Sequence, residues 1–129
     1  MTNNNPCPTG WSVPNNTQLT ALMNVGSVWV DSCTVERLGL GTLPGRIFGT
    51  TTAPATYADF NPNTMLFLPA AGVRVTAGGG LVYVGTNGYY WSSVPANTTS
   101  AYCLLFVSSY TFVAGNNKPS GYSVRCVAP

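Results

Sequence analysis

The residues that could do chemistry are few in this chain, and they are scattered. There is no histidine, and the only carboxylate side chains belong to Asp31, Glu36 and Asp59. Because histidine is the commonest general base and a common metal ligand, its absence removes most reaction types. Two carboxylates can hydrolyse a glycosidic bond, but none of these acids stands in a partner motif, and three dispersed acids supply few calcium ligands. We therefore expect no enzymatic activity, no metal and no cofactor.

The four cysteines are the remaining reactive groups. Cys7, Cys33, Cys103 and Cys126 are widely spaced, whereas zinc sites use close ligand pairs, so the spacing favours disulfides or buried thiols. We expect Cys7 to pair with Cys126, because closing a loop of nearly the whole chain constrains the unfolded state by about 4 to 5 kcal/mol in the entropy model. Cys33 and Cys103 are then either paired or free, and four reduced, buried thiols are the alternative.

The composition favours an exposed, extracellular setting. Charged residues make up 6% of the chain, against about 25% in typical soluble domains, so solubility rests on neutral polar groups. The net charge of +2 comes from dispersed cations, which cannot track a phosphate backbone. The longest apolar runs are too short to span a bilayer. We expect no nucleic-acid partner, no direct membrane insertion, and an extracellular location or a place on a virion such as a phage particle.

The elements that would position these residues are predicted from periodicity within one domain, residues 1–129. A helix should run from a cap at 15–17 to Gly26, because Leu19, Leu22 and Met23 recur at helical spacing. Residues 28–30 are predicted as a short strand or another extended segment, and a weaker helical turn follows at 34–38.

Beyond the helices, the chain favours β structure and long loops. Segment 41–62 is rich in Gly, Thr, Ala and Pro, which predicts long loops without regular structure. Strands are predicted over 64–68, 72–76, 81–85, 89–93, 101–108, 110–114 and 122–127. In the last segment, side chains alternate with a period of two that should put one set inside. These elements make an α+β domain with short N-terminal helices packed on a twisted antiparallel sheet.

Aromatic and amide side chains are concentrated in the C-terminal third. They combine rigid contact area with adaptable hydrogen bonding, a mixture typical of binding surfaces. The aromatic side chains of these strands include Tyr89, Tyr90, Tyr102, Phe106, Tyr110 and Phe112, and Asn97, Asn116 and Asn117 lie in the neighbouring loops. Since about half the aromatics of alternating strands should face the core, we assign Tyr90, Trp91 and Tyr122 to structure. Tyr89, Tyr102 and Tyr110 are the aromatic contact candidates.

Three ordered motifs resemble a known family. They are CPTGWSVPNNTQLTALM at 7–23, FLPAAGVR at 67–74, and GYYWSS at 88–93 followed by NNKPSGYSVRCV at 116–127. Together they resemble the Fibrobacter succinogenes major paralogous domain, a bacterial family with a C-type-lectin-like fold. The closing pattern is similar to that of the variable proteins that retroelements diversify in gut bacteria and their phages.

The resemblance implies a C-type-lectin-like fold in which the chain ends are close, which agrees with the expected Cys7–Cys126 bridge. It implies a fixed framework at Gly88, Trp91, Ser92, Ser93, Gly121, Ser123, Val124 and Arg125. It implies a ligand-binding face at Tyr89, Val94, Ala96, Asn97, Thr99, Tyr102, Leu104, Phe106, Ser108, Tyr110, Asn116, Asn117 and Lys118. The Glu-Pro-Asn, Gln-Pro-Asp and Trp-Asn-Asp motifs of calcium-dependent lectins are absent, so calcium-mediated sugar binding is not expected.

The resulting expectation is a ligand-binding or adhesion domain. Its partner would be a protein or glycan receptor on a cell surface, met at a pilus tip, on the bacterial surface or from a phage particle. One alternative is a structural module of a surface lipoprotein or fibre without a ligand of its own. Another is a degenerate relative of enzymes that share the fold and use cysteines, such as sulfatase-modifying oxidases.

Overall fold

The first helix begins at a reciprocal cap. The computed structural model describes residues 5–129, in which α1 spans Asn16–Asn24. The side-chain oxygen of Asn15, Oδ1, accepts a hydrogen bond from the backbone N–H of Gln18 at 2.7 Å. In return, Gln18 Oε1 accepts one from the backbone N–H of Asn15 at 2.9 Å. This capping box satisfies two backbone donors at the helix start. After α1, Gly26 turns the chain with a φ of 86°, so both predicted ends are confirmed.

The second helix, α2, spans Ser32–Arg37, where the weaker helical turn was predicted. It begins at Asp31, whose carboxylate accepts a hydrogen bond from the Thr34 amide at 2.8 Å. This bond and a second one to the Thr34 side chain lower the pKa of Asp31. Among residues 5–129, no helix is long and apolar enough to cross a membrane.

A first antiparallel sheet has the order β1-β2-β3, formed by Ser27–Val30, Gly45–Phe48 and Leu66–Pro69. The prediction of loops without regular structure over 41–62 is wrong, because it missed the central strand β2. Its sequence, GRIF, gives no clear alternation, yet three of its four residues are buried. Tertiary packing outweighs local propensity here, and a Cβ at Gly45 would collide with the Leu68 carbonyl of β3.

Both faces of the first sheet are covered. One face carries Val30 and Ile47, which form a buried cluster with Val35 and Leu38 of the α2 region. The opposite face carries Phe48 and packs into a second cluster with α1 and the C-terminal strands. The domain is therefore layered, with α2 outermost on one side and the C-terminal sheet on the other.

Two further antiparallel sheets follow. A small one pairs β4 (Val73–Arg74) with β5 (Leu81–Val82). The C-terminal sheet has the order β6-β7-β8, formed by Gly88–Pro95, Ser100–Phe106 and Thr111–Asn117, with an irregularity in β6 between residues 91 and 95. The strands predicted near 89–93, 101–108 and 110–114 are confirmed in place, and the α+β class is confirmed.

The predicted strand 122–127 is wrong as a continuous strand. Ser123 makes a single parallel bridge with Tyr90, and Val127 makes a single antiparallel bridge with Ser12. The segment was expected to bury every second side chain. This is also wrong, because Val124 and Arg125, which belong to the two alternating sets, are both exposed. The segment instead runs along the free edge of β6 and then crosses to the N-terminal region.

The two ends of the described chain are held together covalently. Cys7 and Cys126 form a disulfide with a sequence separation of 119, so the predicted pairing is confirmed. The pairing of Cys33 with Cys103, which the sequence left open, does not occur. Cys33 is exposed on α2 and Cys103 is buried in β7, and both are free thiols. Because Cys7 and Cys126 are bridged, the alternative of four reduced, buried thiols is wrong as well.

Candidate ligand-binding face

The C-terminal sheet has two faces of different character. Its inner face packs on α1 through Tyr90, Leu104 and Phe106, which belong to one buried cluster with Leu19. Because side chains alternate along a strand, the neighbouring positions point the other way. We define this outer face by Tyr89, Trp91, Leu105, Phe112, Ala114 and Asn116, together with Tyr110, Tyr122 and Val124 at its margins.

Part of the outer face is open to solvent and apolar. Tyr110 is 50% exposed, Val124 is 39% exposed and Phe112 is 37% exposed. The rings of Tyr110 and Phe112 stack on each other with centroids 5.5 Å apart. Such offset stacking fixes two aromatic side chains in one arrangement before any partner arrives.

A second group of stacked rings lies at the β6 edge. Tyr122 stacks on Tyr89 with centroids 4.7 Å apart and on Trp91 at 4.3 Å. The terminal segment is held there by backbone bonds, with Ser123 N–H donating to the Tyr89 carbonyl and Trp91 N–H donating to the Ser123 carbonyl, each at 2.9 Å. Burial, with further contributions from Cys103 and Tyr89, raises the pKa of Tyr122, which favours its neutral phenol.

Cys103 lies beneath the outer face and is fully buried. Asn116 Nδ2 donates to its sulfur at 3.1 Å. Burial raises the pKa of the Cys103 thiol despite this hydrogen bond, so the reactive thiolate is disfavoured. The geometry makes Cys103 a core residue, and its bond to Asn116 fixes an amide that the sequence placed on the binding face.

The turn between β6 and β7 uses several predicted contact residues for its own structure. Asn97 Oδ1 accepts hydrogen bonds from the backbone amides of Thr99 at 2.9 Å and Ser100 at 2.8 Å. Lys118 Nζ donates to the Thr98 carbonyl at 3.1 Å. These bonds hold the turn in one shape and place the Lys118 cation at this end of the sheet.

The structure divides the predicted face among four places. Tyr89 and Asn116 lie on the outer face, with Tyr110 at its margin. Val94, Ala96, Asn97, Thr99, Asn117 and Lys118 lie at the end of the sheet that carries the β6–β7 turn. Ser108 lies at the opposite turn, where its carbonyl accepts a hydrogen bond from Arg46. Tyr102 is half-buried and pairs with Gly115 on the inner side of the sheet.

Two predicted contacts need correction. Leu104 and Phe106 are fully buried and form the core against α1, so they cannot be part of a binding face. They share one face of β7 with Tyr102, and the sequence pattern did not show which face α1 would cover.

Sequence reasoning missed part of the outer face. Trp91 and Tyr122, assigned to structure, are half-buried there, and Leu105, Phe112 and Val124 extend it. Alternation alone could have placed Trp91 beside Tyr89, since the two are two residues apart in β6. No local signal could have placed Tyr122, whose position depends on the bridge between Ser123 and Tyr90.

An open cleft continues the outer face beyond Trp91. It has a volume of about 1060 Å³, and its walls include Val13, Ala101, Lys118 and Val124. The cleft offers both apolar and hydrogen-bonding groups next to the aromatic stack. Within residues 5–129, His, Cys, Asp and Glu side chains form no group of three that could hold a metal ion.

Comparison with known proteins yields one match. A family model described as a domain of unknown function, DUF8237, matches residues 56–127. The match includes β3 to β8 and the segment that carries Tyr122, and therefore all of the outer face. No curated protein and no solved structure matches the chain.

Proposed function

Since this chain belongs to the DUF8237 family, whose function is unknown, we propose from its own surface that it is a ligand-binding or adhesion domain. Its outer face would grip a protein or glycan receptor on a cell surface. The main support for this proposal is that the rings of Tyr110 and Phe112 stack on each other and are both exposed to solvent on this sheet face. Exposed apolar area of this kind marks interaction sites. Such binding needs neither catalysis nor a cofactor.

A C-type-lectin-like arrangement is part of the proposal. It is supported by the closeness of the chain ends, through the Cys7–Cys126 bridge and the pairing of Ser12 with Val127, and by the packing of α1 on the C-terminal strands. The disulfide and the low charge support a place outside a bacterial cell, on its surface or on a phage particle.

The resemblance to retroelement-diversified proteins has its own test. If the chain is such a variable protein, the surrounding DNA should carry a reverse transcriptase gene. It should also carry a near-copy of the codons for residues 88–127 that differs mainly at adenines. DNA without either feature would contradict diversification while leaving the binding proposal intact.

A structural module is the second candidate, and one observation favours it. Leu81, Val82, Tyr83 and Val84 form a run of four exposed apolar residues on and after β5. Runs of this kind are unusual on a free surface. In a fibre or surface lipoprotein they would pack against a neighbouring subunit, and the chain would need no ligand of its own.

The binding proposal is tested by a screen with matched variants. The labelled chain is applied to a glycan array and to a panel of intact bacterial cells. A double variant, Tyr110→Ser with Phe112→Ser, should weaken any binding about tenfold or more, because exposed aromatics often dominate binding energy. Tyr57→Ser is the control, since Tyr57 is 69% exposed at the start of a short 3₁₀ helix, Tyr57–Asp59, and lies beside Gly39, away from the C-terminal sheet. Equal binding by all three proteins would contradict the proposal.

A further inference from the structure

A second concave site lies on the other side of the C-terminal sheet. It is a groove of about 340 Å³ between α1, the edge strand β3 and the terminal segment. Its apolar walls include Leu19 and Leu22 from α1 and Leu66 and Leu68 from β3, and Tyr90 also lines it. The Tyr90 hydroxyl donates to the Pro69 carbonyl at 2.8 Å, so its donor is already used.

One charged side chain, the cation Arg125, lies at this groove. Arg125 is exposed and lines it. Within the described chain, its guanidinium has neither a hydrogen bond nor an ion pair. The three acids of the sequence are absent from the groove walls, and Asp31 and Glu36 belong to the α2 region, which packs on the opposite face of the first sheet.

We propose that this groove binds an aliphatic carboxylate, with the hydrocarbon chain along the leucines and the carboxylate on Arg125. Apolar walls favour a hydrocarbon, and a guanidinium offers a carboxylate two parallel hydrogen bonds. A volume of about 340 Å³ holds roughly eleven groups the size of a water molecule, which corresponds to a fatty acid of about eight to ten carbons. The groove shares none of the residues that define the outer face.

The test is a titration of the isotope-labelled full chain, followed by nuclear magnetic resonance. Sodium octanoate is the probe, and 1-octanol is the uncharged comparison. Octanoate should shift the amide signals of Leu19, Leu22 and Leu66 in a saturable manner. Arg125→Gln should weaken octanoate binding roughly tenfold or more while leaving octanol binding unchanged. Arg37→Gln removes an exposed arginine of α2 and should change neither.

A second variant tests the hydrocarbon site without touching the charge. Ala21 is exposed on α1 and lines the groove, so Ala21→Gln should fill the groove without disturbing the fold, and binding of both probes should fall. The proposal is overturned if octanoate causes no shifts at the groove, or if Arg125→Gln binds it as tightly as the unchanged protein. It is also overturned if the chain forms a dimer that Ala21→Gln separates, since the groove would then be an interface between two copies.

Discussion

The thiols of Cys33 and Cys103 differ in their accessibility to reagents in solution. Cys33 is exposed on α2, whereas Cys103 is buried under the aromatic outer face and its pKa is raised by that burial. An accessible thiolate is the nucleophile that attacks thiol-specific reagents. We expect the folded protein to react quickly at one thiol per chain, and at two after unfolding without reductant. Mass spectrometry of the labelled peptides checks this, and rapid labelling of Cys103 in the folded protein would contradict the packing described.

Gly88 is one of the glycines at which packing leaves no room for a Cβ atom. A Cβ there would collide with the ring of Phe106, which is fully buried. Gly88→Ala should therefore lower the free energy of unfolding by about 1 to 3 kcal/mol, as overpacking does. Gly80→Ala is the matched control, because a Cβ at that position meets no atom within 4 Å. A denaturant titration that finds both variants equally stable would contradict the contact.

At the scale of single elements, local signals predicted the helices and tertiary contacts decided the strands. The cap at Asn15 and the stop at Gly26 are short-range features, and both appear where the sequence indicates. Strand β2 has no such signal, because its burial depends on β1, β3 and the layers on either side. For the same reason, which face of β7 meets α1 could not be predicted.

The disulfide joins Cys7, in the N-terminal segment, to Cys126, in the terminal segment that follows the C-terminal sheet. Because it closes a loop of nearly the whole chain, it should chiefly destabilise the unfolded state. We expect a double variant, Cys7→Ser with Cys126→Ser, to lose about 2 to 5 kcal/mol of unfolding free energy. Cys33→Ser, which removes an exposed free thiol, should change it by less than about 0.5 kcal/mol. Equal denaturant midpoints for the two variants would show that the bridge does not constrain the unfolded chain.

At the scale of the whole molecule, the layers explain why the outer face of the C-terminal sheet remains available to a receptor. The first sheet is covered on both faces, and the inner face of the C-terminal sheet is covered by α1. The outer face therefore carries aromatic side chains that are only partly buried. The sequence predicted a binding face in the C-terminal third, and the exposed rings of Tyr110 and Phe112 lie in that third. It could not separate outer from inner positions, because that division depends on where α1 packs.

Oxidative footprinting of the bound chain tests the central claim most directly. Hydroxyl radicals modify exposed aromatic side chains, and mass spectrometry reports the extent at each residue. The chain is compared alone and when bound to the array glycan or cells that the screen identifies. We predict that binding lowers oxidation at Tyr110 and Phe112 and leaves Tyr57 unchanged, since only the first two lie at the outer face. Protection of Tyr57 with no change at Tyr110 and Phe112 would contradict the account.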